Sequence, residues 1–513
     1  MLQFFQNILA AIEAMLVYPS LVRECSLPPR KSIHDILRSS QPTLKSLGQE
    51  VAELFTAPIN PQRMSRMSSR LQRRYLDKLQ VSTECMLPSF NVTFPNGHEA
   101  GTYLALDVGG STLRVALVEL SGKSRGVEGL KILQMSVSSI DNLVRRLSGT
   151  AFFDWMAEKI ADMLAECPKY NGRAAEPLPV GLSWSFPVEQ TSPRGGKIQG
   201  MGKGFCCAQA TVGQDLGDLI VAACRNQGLN LRIDALVNDS CATLLSRAYL
   251  EPSTSMSLIL GTGTNMAVHL PVSCLGALKV QDRDAAWLSQ AEKVTINTEV
   301  SMFGKGVLPE TRWDDLLNRS HALPNFQPLE YMTTGRYLGE ILRLIVAEAV
   351  ETADLFDGLF PSSLEEPYSL DTSLLAVVEG DKSPNLATSG AYLQKMMGLD
   401  QSPSAAEMKF LRIVVESISR RAAAYIAIAI HALWAVERKV SSRAEASRTT
   451  IACNGSVIGK YPGFRSRCQA DIAEMIRVGA DEEAQESVIV LEMADEAATL
   501  GAAVAVAIGE GGQ

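Results

Sequence analysis

The 513-residue chain has no dense basic run, and its 48 lysines and arginines against 56 acidic residues leave a net charge of −8. With nothing to neutralise a phosphate backbone, nucleic acid is not an expected partner. A C-x-x-C pair is also missing: the ten cysteines include the adjacent Cys206 and Cys207, but none has the spacing of a zinc ribbon or a thioredoxin-type site. They read as reduced, buried thiols of an intracellular protein. Histidine is scarce. His34, His98, His269, His321 and His431 lie scattered without ligand spacing, so each reads as a surface or packing residue and no all-protein transition-metal site is expected. The apolar start from Leu2 to Tyr18 barely reaches spanning length, carries Glu13 near its middle and follows no basic segment. Those features argue against a crossing helix and against a cleaved signal. Two readings remain for residues 1–20: a helix lying on a membrane surface, or one packed on the domain or a partner subunit.

What is present is the balance of a folded protein, with 46% hydrophobic and 20% charged residues. The chain is too long for one core, which predicts two lobes and therefore a cleft. The runs YLALDVGGSTLRVALVEL and SMSLILGTGTNMAVHL each place a small, hydroxylated tip between two β-rich stretches, a hairpin signal given twice that suggests internal duplication. FFDWMAEKIADMLAEC has helical spacing, whereas LPVGLSWSFPV and LRIDALVND read as strands. This alternation points to α/β layers. A buried helix is predicted from Ala405 to about Arg438, a strand entering a glycine turn at TTIACNGSVI, and a last helix from about Asp495 to Ile508. The stretch Glu365 to Ser404, rich in Ser, Pro and Asp, predicts a mobile insertion.

Glycine lets a backbone approach an anion, and converging amides with added hydroxyls make a phosphate cradle, so each hairpin tip is a candidate. Asp107 just before the first tip can hold Mg²⁺ through water, and Arg114 can steady a phosphate. The strongest candidate for chemistry is Asp239, at the end of the strand Ala235-Leu236-Val237 and beside Asn238. A carboxylate there can accept a proton from an alcohol attacking phosphorus; the alternative is an Asp that caps the helix beginning near Cys241.

The order of motifs resembles the hexokinase family from about Met86 to the end of the chain. LDVGGSTLRV is similar to its first phosphate segment, SWSFPVEQ to its sugar segment, LVNDSCATLL to the segment of the catalytic Asp and GTGTNMAV to the second phosphate segment. INTEVSMFG, FQPLEYMTTGRYLGEILR and IACNGSVIGKYPGF continue the series in order. The resemblance implies a two-lobed actin-like ATPase (ribonuclease H-like) α/β fold with a central cleft. Its expected divisions are an apolar helix at 1–23, large-lobe segments at 24–99 and 239–491, a small lobe at 100–238 and a returning helix at 492–513. It implies MgATP and a hexose, with Asp239 and Lys203 catalytic and Ser185, Lys203, Asn238, Asp239, Asn265, Glu299 and Glu330 around the sugar. On the ATP side it implies Asp107, Gly109, Gly110, Ser111, Thr112 and Arg114, then Gly261, Thr262, Gly263 and Thr264, with Gly455 and Ser456 beside the adenosine. It also implies a cytoplasmic protein associated with the mitochondrial surface through residues 1–20.

Several positions depart from the family pattern. Met201-Gly202-Lys203 stands for Trp-Thr-Lys, which removes a hydroxyl worth about 0.5–1.5 kcal/mol. Ser111-Thr112 stands for Thr-Asn, and Val300-Ser301-Met302 for Trp-Gly-Ala. Glu496-Ala497-Ala498-Thr499 replaces an Asp-Gly-Ser-Gly run that in the family forms a loop between the lobes, which predicts that this segment extends the last helix instead and alters hinge closure. Two functions stay open: an active hexose kinase, and a catalytically weak sugar sensor acting through a partner.

Overall fold

The structure is a computed structural model, and it describes residues 42–170, 175–201, 205–442, 448–479 and 486–510. The apolar leader 1–23, Gly202 and Lys203 lie outside the described residues. Among those described, no helix is long and apolar enough to cross a membrane.

The strands, in chain order, are Leu87–Pro88 (β1), Ala100–Val108 (β2), Thr112–Ser121 (β3), Leu130–Ser139 (β4), Leu178–Trp184 (β5), Val188–Gln190 (β6), Gly196–Ile198 (β7), Leu231–Val237 (β8), Thr254–Leu260 (β9), Thr264–Pro271 (β10), Lys293–Asn297 (β11), Arg448–Asn454 (β12) and Val488–Met493 (β13). They form two main sheets. The smaller has the order β4-β3-β2-β5-β8, and the larger β1-β11-β10-β9-β12-β13, while β6 and β7 pair separately. In each sheet a tight antiparallel hairpin, β2–β3 or β9–β10, lies beside parallel strands. The two glycine tips therefore occupy equivalent places, as the duplicated sequence signal predicts.

The helices needed here are Leu44–Thr56 (α1), Pro61–Val81 (α2), Ala151–Ala165 (α3), Asp239–Leu250 (α4), Arg312–Ser320 (α5), Pro328–Thr333 (α6), Leu338–Thr352 (α7), Thr372–Gly380 (α8), Ala387–Met397 (α9), Ala405–Val440 (α10) and Ala497–Glu510 (α11). Helix α10 is the spine of the large lobe. It begins with a capping box between Ser404 and Glu407, and its middle is buried nearly all round. There Arg421, wholly buried, forks onto Asp314 at 2.5 and 2.7 Å, and the same carboxylate accepts from the Thr311 amide and hydroxyl. Removing either partner strands a buried charge, which is where such a pair matters most.

The segment 365–404 corrects the expectation of a mobile insertion. It folds into α8 and α9, burying Leu374, Leu375, Val378, Leu393 and Met397, and Arg412 of α10 donates to the carbonyls of Val378 and Asp381 at 2.8 and 3.2 Å. Short helical spacings hidden among Ser, Pro and Asp caps explain the misreading. Of the nine described cysteines, Cys167, Cys206 and Cys274 are half-exposed and the rest buried.

The two sheets meet through α4 and α11. Helix α4 packs on β9, β10 and β12 of the large sheet and on α11, which itself lies across β2, β5 and β8 of the small one. That contact is backbone-close: a Cβ on Gly501 would sit 1.8 Å from the Ala242 carbonyl oxygen. Gly501→Ala is therefore expected to cost about 1–3 kcal/mol in a denaturant melt. On the same helix Gly509→Ala, with open space around it, should be neutral or stabilise by up to about 1 kcal/mol; equal effects at the two positions would contradict this packing.

Candidate active site

Helix α4 starts where β8 ends, so its first residues project at the carboxyl edge of the small sheet. The competing roles of the Asn-Asp-Ser run are divided between neighbours. Asn238 is the N-cap, accepting from the Ser240 amide at 2.9 Å and the Ser240 hydroxyl at 2.6 Å. Asp239, in the first turn, is left half-buried, with Oδ2 accepting the Ser185 hydroxyl at 2.9 Å and Oδ1 the Ser240 amide at 2.8 Å.

A polar chain runs from this helix into the large lobe. Asn265 Nδ2 reaches Asn297 Oδ1 at 2.9 Å and, at 3.4 Å, Asn238 Oδ1; Asn297 Nδ2 donates to Glu299 Oε1 at 2.8 Å. Glu299 sits in the left-handed region at φ 49. Burial pushes its carboxyl up to about 7, with the Asn297 bond opposing and the charges of Asp239 and Glu330 adding. Glu330 accepts from the Thr264 amide at 3.1 Å, and Gly263 is the residue that admits it: a Cβ there would lie 2.7 Å from Glu330 Oε2. The second tip is thus tied to the same carboxylate set. Gly335 N–H donates to Gly261 O at 2.8 Å, and Gly455, at φ 119, turns β12 toward Ser456 against the Leu260 end of that hairpin.

The first tip, Gly109 to Ser111, is closed by Gly109 N–H to Thr112 O at 3.0 Å and steadied by Arg145 donating to Gly110 O at 3.0 Å. Behind it, Asp107 accepts from the Ser183 hydroxyl at 3.0 Å and pairs with Arg114 at 3.2 Å. Burial nevertheless pushes the Asp107 carboxyl up to about 6; Arg114 opposes this and the charges of Asp239 and Glu496 add to it. Arg114 bonds Thr112 Oγ1 at 3.0 Å, and its Nε lies 2.8 Å from Glu496.

Ser185, Asn238, Asp239, Asn265, Glu299 and Glu330 are therefore linked into one set, with Asp107 near enough for its charge to act on Asp239. Sequence reasoning passed over Asn297, Gln327 and Arg336, although all lie inside quoted motifs, and named Ser301 only as a departure from the family pattern. Asn297 joins two members of the set. Gln327 donates to Ser301 Oγ at 3.2 Å beside it. Arg336 lines, with Thr262, Gly335, Tyr368, Leu370 and Asp371, a cavity of about 290 Å³ at the second tip. A glycine loop before α11 is not formed: the helix begins at Ala497, as the substitutions predict, and Glu496 takes up φ 48 in front of it.

Two sequence models of the family described as Hexokinase match the chain, one over residues 49–249 and the other over 255–508. The chain is 31% identical to Hexokinase-1 of Saccharomyces cerevisiae over 83% of its length and 84% of the yeast protein. It is 30% identical to Hexokinase-2 of Candida albicans over the same shares. Among solved structures, the hexokinase from Schistosoma mansoni complexed with glucose superposes with a TM-score of 0.76 at 27% identity, covering 91% of this chain and 99% of that one.

The raised carboxyl of Glu299 gives a signed test. Between its ordinary value of 4.5 and about 7 the folded protein holds a proton that the unfolded chain has released, so stability from this group falls as pH rises through that window. Glu299→Gln should melt higher than wild type at pH 8, with the gap closing by pH 5; a pH-independent difference in Tm would contradict the assignment.

Proposed function

The chain belongs to the hexokinase family, and from that premise we propose that it transfers the γ-phosphoryl group of ATP to the 6-hydroxyl of glucose or a closely related hexose, with Asp239 as the base. The observation that carries this reading is the position of Asp239: half-buried, bonded to Ser185, and joined through Asn238 to the amide and carboxylate chain that ends at Glu299. Asn265, Glu299 and Glu330 offer acceptors and donors around a ring of hydroxyls, and a sugar lacking one hydroxyl would leave a buried group unpaired. Asp239 takes the proton of the attacking hydroxyl as the oxygen–phosphorus bond forms, and water is kept out by closure of the lobes.

The two hairpin tips are assigned to the phosphates and Gly455 with Ser456 to the adenosine. The residues present fit a divalent cation carried by the nucleotide: Asp107 supplies a hard oxygen donor whose buried charge is disfavoured until a cation arrives. Among the described residues no group of three or more His, Cys, Asp or Glu forms a metal site by itself, so Asp107 would hold Mg²⁺ singly, through water. Such an ion supplies neutralisation of phosphate charge. Arg114 would add a second cation at the first tip.

Purified protein should release ADP in a glucose-dependent way, and Asp239→Ala should lower kcat by at least about 10²-fold with little change in Tm. Indistinguishable wild type and Asp239→Ala, with glucose still raising Tm, would make the protein a sugar sensor instead. For localisation, we propose a cytoplasmic protein docked on the mitochondrial surface through the apolar residues 1–20; deletion of those residues should release it from membrane fractions, and unchanged fractionation would end the idea.

A further inference from the structure

His321 is one of the five histidines read from sequence as a surface or packing residue. It follows α5 at the C-cap, and both of its ring nitrogens are engaged. The Leu323 amide donates to Nδ1 at 3.1 Å, so Nδ1 carries no proton and the ring is the Nε2–H tautomer. Nε2 lies 3.1 Å from the Tyr337 hydroxyl and donates to it. Tyr331 completes the cluster: its hydroxyl donates to Leu323 O at 2.7 Å and sits 3.0 Å from Nδ1. The rings pack together, with His321 and Tyr331 centroids 4.4 Å apart and Tyr331 and Tyr337 5.0 Å apart. Both tyrosines are buried, and burial lowers the proton affinity of His321, which suits a ring held neutral between an N–H donor and a hydroxyl.

The position of the two tyrosines in the chain gives the cluster its meaning. Tyr331 follows Glu330 on α6, and Tyr337 follows Arg336 at the start of α7. Glu330 holds the Thr264 amide among the sugar-side carboxylates, whereas Arg336 lines the cavity at the second phosphate tip. Between Glu330 and Arg336 the chain has only Tyr331 to Gly335, and Gly335 is bonded to the tip itself. The imidazole thus holds the α7 end directly, through Tyr337, and the α6 end through the Leu323 backbone, whose amide it accepts and whose carbonyl takes the Tyr331 hydroxyl.

We infer that His321 is a positioning residue that sets Glu330 toward the hexose and Arg336 toward the nucleotide through Tyr331 and Tyr337. The inference rests on the kinase reading for the identity of the two substrates. Three conservative variants separate its parts. His321→Phe keeps a ring and loses the bonds to the Leu323 amide and the Tyr337 hydroxyl, Tyr331→Phe loses the α6 bond to the Leu323 carbonyl, and Tyr337→Phe loses the α7 link. Kinetics should show His321→Phe raising KM for glucose and for ATP by about three- to tenfold each, the range for one lost hydrogen bond per side, with kcat within about threefold of wild type. Tyr331→Phe should raise KM for glucose alone, and Tyr337→Phe KM for ATP alone. His321→Asn, whose carboxamide oxygen can accept from the Leu323 amide but cannot reach Tyr337, should restore the glucose value and leave the ATP value high.

A role in stability alone would lower Tm and leave both KM values where they are, and that outcome overturns the proposal. Should His321→Phe fail to fold, Tyr337→Phe decides: an ATP KM within about twofold of wild type overturns it. If the wild type proves inactive, the kinase reading fails separately, and calorimetric glucose binding becomes the readout. In that case Tyr331→Phe and His321→Phe must both weaken glucose binding, and unchanged affinity refutes the positioning role.

Discussion

Helix α4 is held between two sheets, and the rest of the site depends on how firmly it is held. At its first turn the Ser240 carbonyl accepts from Ser257 Oγ of β9 at 2.7 Å, while Ser257 Oγ in turn accepts from the Ala267 amide of β10 at 3.2 Å. At its last turn the Tyr249 hydroxyl donates to Glu99 O at 2.7 Å and accepts from the Gly122 amide at 2.8 Å, both at the far end of the β2–β3 hairpin. Midway, Ala242 meets Gly501 backbone to backbone. The helix is pinned to the large lobe at one end and to the small lobe at the other. Asp239, the proposed base, rides on its first turn and inherits that rigidity.

Electrostatics pulls the other way. Asp239, Glu299 and Glu330 repel one another in a space where burial already disfavours charge, and Asp107 feels Asp239 and Glu496 as well. Such a set would not be selected for stability, which it lowers at neutral pH. On the proposed reading, the hydroxyl donors of a sugar offset that cost. The tips are built more cheaply, from glycine and backbone, because an anion needs only amides and a nearby guanidinium.

Local signals made much of this legible. Glycine flanked by β-rich runs identifies both tips, and α10 announces itself through unbroken helical spacing. The last helix was readable because alanine and threonine replace residues that would have broken it. Asp239 stood out by its place after a strand, but only the structure assigns the cap to Asn238. Asn297 was hidden for a physical reason: its role is to bridge Asn265 and Glu299, and no sequence period encodes a bridge between strands β10 and β11. His321 was invisible for the same cause, since its partners are tyrosines 10 and 16 positions away. The segment 365–404 misled because its buried residues are too few per turn to outweigh its Ser, Pro and Asp content.

The substitution of Glu496 and its neighbours is the place where this chain differs most in kind from the family pattern. A helix that starts at Ala497 buries Ala497 and Thr499, which a flexible loop would leave to solvent. The change of direction is then forced onto Glu496, a non-glycine residue at φ 48, with a strain of order 1 kcal/mol. Its carboxylate meets Arg114 across the junction of the large-lobe strand β13 and the helix that covers the small lobe. Arg114 thus shares its charge between Asp107 and Glu496, one on each side of the first phosphate tip. On the proposed reading, a phosphate entering there competes with two carboxylates for one guanidinium. The guanidinium at the first tip is in this way divided between two carboxylates, one of them at the position where the family pattern has glycine flexibility instead.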